Sequence, residues 1–220
     1  MMAQRRRLYL ATGNPGKVRE LSDLLGDRFE ILARPDDLAD TVEDGRTLLD
    51  NATKKAVEVF AHTGEMAMAD DTGLFVEALG GRPGVRSARY AGGDGGDRAN
   101  RTKLLNELAK VGDDPAARRA YFETVVVIVG SSTQGQTQPG EPSQGAPMHL
   151  VPLVGRGRVH GHIVNKPRGQ GGFGYDAVFQ PDEGDGRTFA EMGLAEKQAI
   201  SHRGRALAQA RRLLDGLIES

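Results

Sequence analysis

The sequence predicts an α/β protein with a mixed β-sheet and flanking helices. Short apolar segments, such as 8–11 and 121–129, are typical of buried strands. Apolar residues at helical spacing separate them, as between Lys17 and Leu25. The strands and helices do not alternate strictly, which favours a sheet with both parallel and antiparallel neighbours.

The first predicted elements are a strand at 8–11, a glycine-rich loop and a helix from Lys17 to Leu25, stopped by Gly26. Residues 29–32 are a second candidate strand. A helix is predicted from about Thr47 to His62, because one stripe carries Leu48, Ala52, Ala56 and Val59.

The later elements follow from the same patterns. Residues 66–69 predict a short strand that ends at Asp70 and Asp71, and 104–108 predict a helix. Residues 121–129 predict the strongest strand, and 151–153 and 159–164 predict continuations of the sheet. Thr188 with Glu191 resembles a capping box. Ser201 is a candidate cap for the last helix, whose apolar stripe is Ala206, Leu207, Ala210, Leu213, Leu214 and Leu217.

Composition narrows the class of protein. The 220 residues suffice for one large domain or two lobes with a shared core. A net charge of -1 predicts no general attraction to nucleic acid or an acidic membrane, and the lack of cysteine excludes thiolate chemistry. The apolar run 8–11 is too short for a signal peptide or a membrane span, so we expect a cytoplasmic protein. Residues 131–147, rich in Gly, Gln, Pro and Ser, predict a flexible polar loop.

The loop after the first strand is a candidate phosphate site. A strand, a glycine turn and a helix place free backbone N–H groups where phosphate oxygens can bind, and a lysine adds positive charge. The spacing is not that of a P-loop, and a plain turn with a solvated lysine is the alternative. The residues of this candidate site are Thr12, Gly13, Asn14, Pro15, Gly16 and Lys17.

Acidic residues form the second candidate site. Asp70 and Asp71 follow an apolar strand and must face opposite sides, because strand residues alternate. Carboxylates there suit Mg²⁺, or one of them could act as a base on water; a capped turn is the alternative. Glu43 could reach the same metal; the alternative is that it is a solvated carboxylate in a loop. Asp50 is a further acidic candidate.

Two adjacent lysines have different predicted surroundings. Lys54 has Asp50 and Glu58 four residues away on either side, which predicts a solvated ion-pair row. Lys55 lies at the edge of the apolar stripe and can reach into a cleft. Lys55 is therefore the better phosphate ligand.

The C-terminal half offers a candidate base site. Phe173, flanked by glycines, can present its ring to a base, and Asp176 can accept a base N–H; a bend with a core aromatic is the alternative. His202 and Arg203 fall in the first turn of the last helix, where cations oppose the helix dipole. Together with Lys197 they could bind a ligand or form a surface basic cluster.

Together and in this order, these motifs resemble the inosine triphosphate pyrophosphatase family, which hydrolyses dITP, ITP and XTP. The matching stretches are 11–20, 69–74, 80–92, 171–176 and 196–204. The resemblance implies a homodimer and one domain, 1–220, with two lobes around a long, twisted mixed sheet and a central cleft. Asp50 stands where the family often has glutamate, and Ala177 where it usually has proline.

The resemblance also implies roles for individual residues of the candidate sites. The loop 12–17 would hold the triphosphate, Lys55 would contact phosphate, and Glu43 and Asp71 would bind Mg²⁺. Asp71 would also be the base for water, with Asp70 close by, and Thr72 replaces the usual serine. Base recognition would fall to Phe173, Gly174, Tyr175, Asp176, Lys197, His202 and Arg203.

The implied reaction is attack of water at the α-phosphorus with release of pyrophosphate. Two other interpretations remain at this point. A pyrophosphatase for modified pyrimidine nucleotides would not need the set Phe173, Asp176 and Arg203. A nucleotide-sensing module without catalysis would not need Glu43, Asp70 and Asp71.

Overall fold

The computed structural model describes residues 5–13, 17–18, 21–22, 25, 29–92, 95–112, 114–130 and 152–218. These residues contain one mixed sheet with the strand order β2-β1-β3-β5-β6-β7, and β4 pairs with β3. β1 is parallel to β2 and β3, and the other pairs are antiparallel. The strands are β1 (Arg6–Leu10), β2 (Phe29–Leu32), β3 (Ala67–Val76), β4 (Pro83–Gly84), β5 (Arg119–Val129), β6 (Leu153–Ile163) and β7 (Phe179–Pro181).

Four complete helices accompany this sheet in the described ranges, which confirms the α/β prediction. They are α1 (Leu48–Thr63), α2 (Gly96–Val111), α3 (Leu194–Ile200) and α4 (His202–Ile218). Lys17, Val18, Leu21, Ser22 and Leu25 are helical as well, as predicted. The loop 131–147 lies outside the described residues, so its predicted flexibility stays a prediction, as does the extent of the domain. None of the helices described is long and apolar enough for a membrane span.

Helix α1 begins where its sequence predicts. The side chain of Thr47 accepts from the Asp50 N–H, and the Asp50 carboxylate accepts from the Thr47 N–H, which completes a capping box. Asp50, weighed above as an acidic candidate, therefore caps this helix. The helix ends at Gly64, whose φ of 68° is left-handed.

Strand β3 is longer than predicted. Asp70 and Asp71 do not end it but lie inside it, because the antiparallel pairing with β5 continues from Ala67 to Val76. The chain need not turn to accommodate these carboxylates, because one points to each face of the sheet and contacts a cation there. The predicted end of the strand at Asp70 was wrong for this reason.

Strand β6 is one strand where two were predicted. The segment between the two predicted strands pairs with β5 throughout. In it Gly155 and Gly157 face α4 and alternate with exposed arginines. A Cβ on Gly157 would lie only 2.0 Å from the His202 carbonyl oxygen, so glycine lets α4 pack directly on the strand.

Helix α4 packs firmly against the sheet, and its first residues belong to the candidate site. Ala206, Leu207, Ala210 and Leu214 of its predicted stripe are buried against β1, β3 and β5. Leu213 is 37% exposed, so its place in the stripe was wrong: the buried face continues through Leu214. The capping box at Thr188 and Glu191 is present, and the Ser201 side chain accepts from the Gly204 N–H, as predicted.

Candidate active site

A cavity of about 650 Å³ opens where β3 lacks a strand on one side. On that side β1 pairs only with Ala67 and Met68, and β4 only with Leu74 and Phe75. Among the described residues, the stretch 69–73 thus has a strand neighbour only in β5. Predicted site residues that line the cavity are Thr12, Gly13, Lys17, Glu43, Lys55, Asp71, Thr72, Phe173, Gly174, Tyr175, Asp176, Lys197, His202 and Arg203.

The loop after β1 forms one end of the cavity. The Ala11 N–H donates to the Met68 carbonyl oxygen at 2.8 Å, which fixes the start of the loop against β3. Thr12, Gly13 and Lys17 then line the cavity. Asn14, Pro15 and Gly16 lie outside the described residues, so their phosphate-binding role stays a prediction.

A lysine between two carboxylates forms the neighbouring wall. Lys55 Nζ lies 2.8 Å from Glu43 Oε1 and 3.4 Å from Asp71 Oδ1, and it donates to the Asp70 carbonyl oxygen at 2.7 Å. Asn51, one turn earlier on α1, donates to Asp71 Oδ2 at 3.1 Å. Two side chains of α1 therefore hold Asp71 in place while it still lines the cavity.

The other lysine faces away, as predicted, but with different partners. Lys54 Nζ donates to the Val42 carbonyl oxygen at 2.8 Å and to Asp44 Oδ1 at 2.9 Å. The predicted row with Asp50 and Glu58 is wrong, because Asp50 caps the helix and Glu58 accepts from Thr41.

Burial and charge give the two carboxylates different proton affinities. Burial raises the pKa of Asp71, an effect that Lys55 opposes and Glu43 reinforces, with a net rise. Burial alone would also raise the pKa of Glu43, but Lys55, together with Lys17 and Arg89, outweighs it and lowers that pKa. Burial would lower the pKa of Lys55, yet the carboxylates around it, with Asp71 first, raise it. Asp71 is therefore the more basic carboxylate of this wall.

Asp70 lies on the opposite face of β3 from Asp71. Its Oδ2 is 2.9 Å from Lys17 Nζ and 3.5 Å from Arg203 Nε, and its side chain is 1% exposed. Burial disfavours the charged form, but Lys17 and Arg203 outweigh it and lower the pKa of Asp70. Unlike Asp71, it is not among the described residues that line the cavity.

An aromatic ring with two cations forms the far end of the cavity. Lys197 Nζ and the Arg203 guanidinium carbon lie 4.8 and 5.1 Å from the centre of the Phe173 ring. Asp176 Oδ2 accepts from Lys197 Nζ at 2.7 Å and from the Phe173 N–H at 2.9 Å. Asp176 was predicted to accept from a base, but this oxygen already serves Lys197 and the Phe173 backbone.

The loop that carries Phe173 is fixed by its neighbours. Gly174 has a left-handed φ of 58°, its N–H donates to Asp97, and its carbonyl accepts from Arg101. The Tyr175 hydroxyl donates to the Ser87 carbonyl oxygen at 2.9 Å. Gly174 and Tyr175 therefore shape the wall of the cavity and position the aromatic ring.

His202 opens α4 and is buried against an aromatic ring. It stacks on Phe122 at 4.5 Å between ring centres, and its Nδ1 is buried without a hydrogen-bond partner. Burial lowers the pKa of His202 well below its usual value, and Arg203 and Lys197 lower it further. The prediction of two cations opposing the helix dipole was therefore wrong for His202, which is neutral at physiological pH.

The neutral His202 makes stability depend on pH. Its pKa is lowered in the folded chain, so below about pH 6.5 the unfolded chain binds a proton that the folded chain excludes. We expect the free energy of unfolding to fall as pH drops below that value, by up to about 1.4 kcal/mol per pH unit from this group. Urea unfolding of the wild type and of His202→Gln between pH 8 and pH 5 measures it. An identical pH dependence in both proteins would contradict the assignment.

Sequence reasoning missed several residues of the site, and three of them contact predicted site residues directly. Asn51 shares the buried face of α1 with Lys55, and its polarity on that face was a usable signal. Arg89 donates to Glu43 Oε2 at 3.3 Å and to its carbonyl oxygen, and it lies in the stretch 80–92 that carried part of the resemblance. Thr124, buried on β5, lies 2.8 Å from the Thr72 hydroxyl and was hidden in an apolar run.

Comparisons with known proteins agree with this geometry. The model of the Ham1 family matches residues 8–213. The dITP/XTP pyrophosphatase of Shigella flexneri is 45% identical over 214 residues, covering 96% of this chain and 98% of that protein. The dITP/XTP pyrophosphatase of Mannheimia succiniciproducens is 44% identical over 208 residues, covering 93% and 96%.

A solved structure shows the same fold. A HAM1 protein from Coxiella burnetii superposes with a TM-score of 0.79 at 35% identity, covering 96% of this chain and 99% of that one. Both the predicted resemblance and the predicted mixed sheet are thereby confirmed.

Proposed function

Because the chain belongs to the Ham1 family, we propose that it hydrolyses the non-standard purine nucleotides dITP, ITP and XTP to the monophosphate and pyrophosphate. Such a hydrolase of acid anhydrides would clear these nucleotides from the pool. One observation carries the proposal: a single cavity joins a phosphate loop, a carboxylate pair and a cation-flanked aromatic ring. The relatives named dITP/XTP pyrophosphatase support the same substrate class.

The chain's own residues account for the hydrolytic step. Asp71 lines the cavity with a raised pKa, so it can orient a water molecule and accept its proton. The water oxygen bonds to the α-phosphorus, the bond from that phosphorus to the bridging oxygen breaks, and pyrophosphate leaves. Lys17 and Lys55 place positive charge beside the phosphates, and electrostatic positioning of this kind carries most of the rate.

We propose Mg²⁺ as the metal, held by Glu43 and Asp71. Both carboxylates line the cavity and contact the same Lys55 ammonium, so this wall already accommodates a positive charge. The described residues contain no cluster of three or more His, Cys, Asp or Glu, and Mg²⁺ needs none when substrate phosphates and water complete its shell. When bound, the ion neutralises phosphate charge and polarises the phosphoryl oxygens.

The choice of base is assigned to the far end of the cavity. The Phe173 ring offers a stacking face, and the donors of Arg203 suit the 6-oxo group of hypoxanthine or xanthine. Adenine has an amino donor at that position, so Arg203 would lose its partner inside a buried site.

The substrate and metal assignments predict a specific result. Pyrophosphate release from dITP and XTP should exceed release from dATP by about 10²-fold or more in kcat/KM, because dATP leaves buried donors unpaired. EDTA should abolish the reaction and Mg²⁺ restore it. dGTP, which keeps the 6-oxo group, shows whether a 2-amino group is also excluded. Equal cleavage of dATP and dITP would contradict the base assignment, and full activity in EDTA would contradict the metal.

The proposal extends to assembly and location. The family resemblance supports a homodimer, which light scattering after gel filtration would test. The absence of cysteine and a nucleoside triphosphate substrate both suit the cytoplasm.

A further inference from the structure

One buried carboxylate contacts two cations that line the same cavity. Asp70 Oδ2 lies 2.9 Å from Lys17 Nζ and 3.5 Å from Arg203 Nε. The exposed fractions of the Lys17, Arg203 and Asp70 side chains are 16%, 4% and 1%. Water therefore screens these contacts weakly, and the Asp70 carboxylate helps to hold each cation in place.

The two cations have different tasks in the proposed reaction. Lys17 belongs to the candidate phosphate site, whereas Arg203 lies on α4 with its guanidinium carbon 5.1 Å from the centre of the Phe173 ring. The Thr72 hydroxyl lies 3.4 Å from Asp70 Oδ2 and accepts from Arg203 Nη2 at 3.4 Å. The same oxygen of Asp70 thus anchors the phosphate end and the base end.

The position of Asp70 argues against a direct chemical role. It is not one of the described residues that line the cavity, whereas Asp71 is. Its Oδ2 faces cations, and its Oδ1 is buried without a hydrogen-bond partner. A carboxylate so placed can orient its neighbours without reaching the substrate.

We propose that Asp70 is a positioning residue that couples triphosphate binding to base recognition, an inference that rests on the function proposed above. Lys17 and Arg203 compete for one oxygen. When a triphosphate draws on the charge of Lys17, Asp70 holds Arg203 more tightly and fixes its angle to the base. Loss of either contact on Asp70 therefore changes the other end of the site.

Asp70→Asn tests this with an isosteric amide. We expect KM for dITP to rise about tenfold or more and the ratio of kcat/KM for dITP over dATP to fall about tenfold, with a smaller change in kcat. Simple loss of folded protein would lower kcat for both substrates and leave KM and the ratio unchanged. Glu123→Gln is the matched control, because Glu123 is paired with Arg158 outside the cavity, and its kinetics should equal the wild type.

Lys17→Met supplies a second variant in case Asp70→Asn does not fold. Although Lys17 serves the phosphates, we expect this variant to raise the ratio of kcat/KM for dITP over dATP, because Asp70 then holds Arg203 alone and more tightly. A wild-type ratio in Lys17→Met would overturn the coupling. So would an Asp70→Asn variant that keeps the wild-type circular dichroism spectrum but loses kcat at unchanged KM, since that would mark Asp70 as a reacting group.

Binding probes separate this inference from the proposed function. Calorimetry with tripolyphosphate and with inosine needs no turnover, and Asp70→Asn should weaken both by about tenfold. If the wild type releases no pyrophosphate from dITP, the proposed function fails and these probes still decide the inference. Wild-type affinity of Asp70→Asn for either probe would overturn it.

Discussion

Asp71→Asn is expected to lower kcat for dITP by about 10²- to 10⁴-fold, the range that a general base contributes. The amide keeps an oxygen that can accept from Asn51, but it cannot take a proton from water. It also removes one of the two carboxylates beside Lys55. KM should change much less, because Lys17 and the base end of the cavity are untouched.

Steady-state kinetics at saturating Mg²⁺ would measure this, with Glu123→Gln as the control. Glu123 lies on the neighbouring strand and, like Asp71, is a partly buried carboxylate paired with a cation. Its amide variant should keep the wild-type kcat. An Asp71→Asn enzyme with full turnover would remove Asp71 from the mechanism.

Gly157→Ala is expected to reduce both stability and activity, although glycine 157 contacts no substrate. The new Cβ would lie 2.0 Å from the His202 carbonyl oxygen and 2.5 Å from the Ala206 nitrogen, so backbone must move. Overpacking of this kind costs about 1–3 kcal/mol or more. The movement would displace Arg203, and errors of about 1 Å in positioning can cost about 10²-fold in rate.

The melting temperature should fall by about 2–4 °C for each kcal/mol lost in a chain of this size. Gly216→Ala on the same helix is the matched control, because a Cβ there meets nothing within 4 Å. That variant should gain about 0.5–1 kcal/mol of stability and keep its activity. A Gly157→Ala protein as stable as the wild type would show that α4 can shift at no cost.

The parts of the fold that could be predicted are those set by local patterns. Helix α1 was predictable because its apolar stripe and its cap at Thr47 both lie within a few residues. Strand β5 was predictable because the segment 121–129 ends in an unbroken run of β-branched residues. The approximate set of cavity residues came from the combined motifs, although their roles were assigned by resemblance.

The parts that could not be predicted depend on distant partners. Asp70 and Asp71 suggested a strand end because their carboxylates need cations, and those cations come from Lys17, Lys55 and Arg203, far away in sequence. Strand β6 was predicted as two separate segments, because nothing local indicates that α4 packs on the glycines between them. The neutral state of His202 follows from its burial against Phe122, which periodicity alone cannot show.

The long pairing of β3 with β5 fixes the register of the site. Ten consecutive pairs join the two strands, from Ala67 with Val129 to Val76 with Ala120. A slip by one residue would exchange the faces of Asp70 and Asp71, placing the positioning carboxylate beside Lys55 and the proposed base among Lys17 and Arg203. Asp70 and Asp71 thus differ in role only because successive residues of a strand face opposite sides of the sheet. The site should therefore tolerate substitutions near Thr72 far better than any insertion or deletion there.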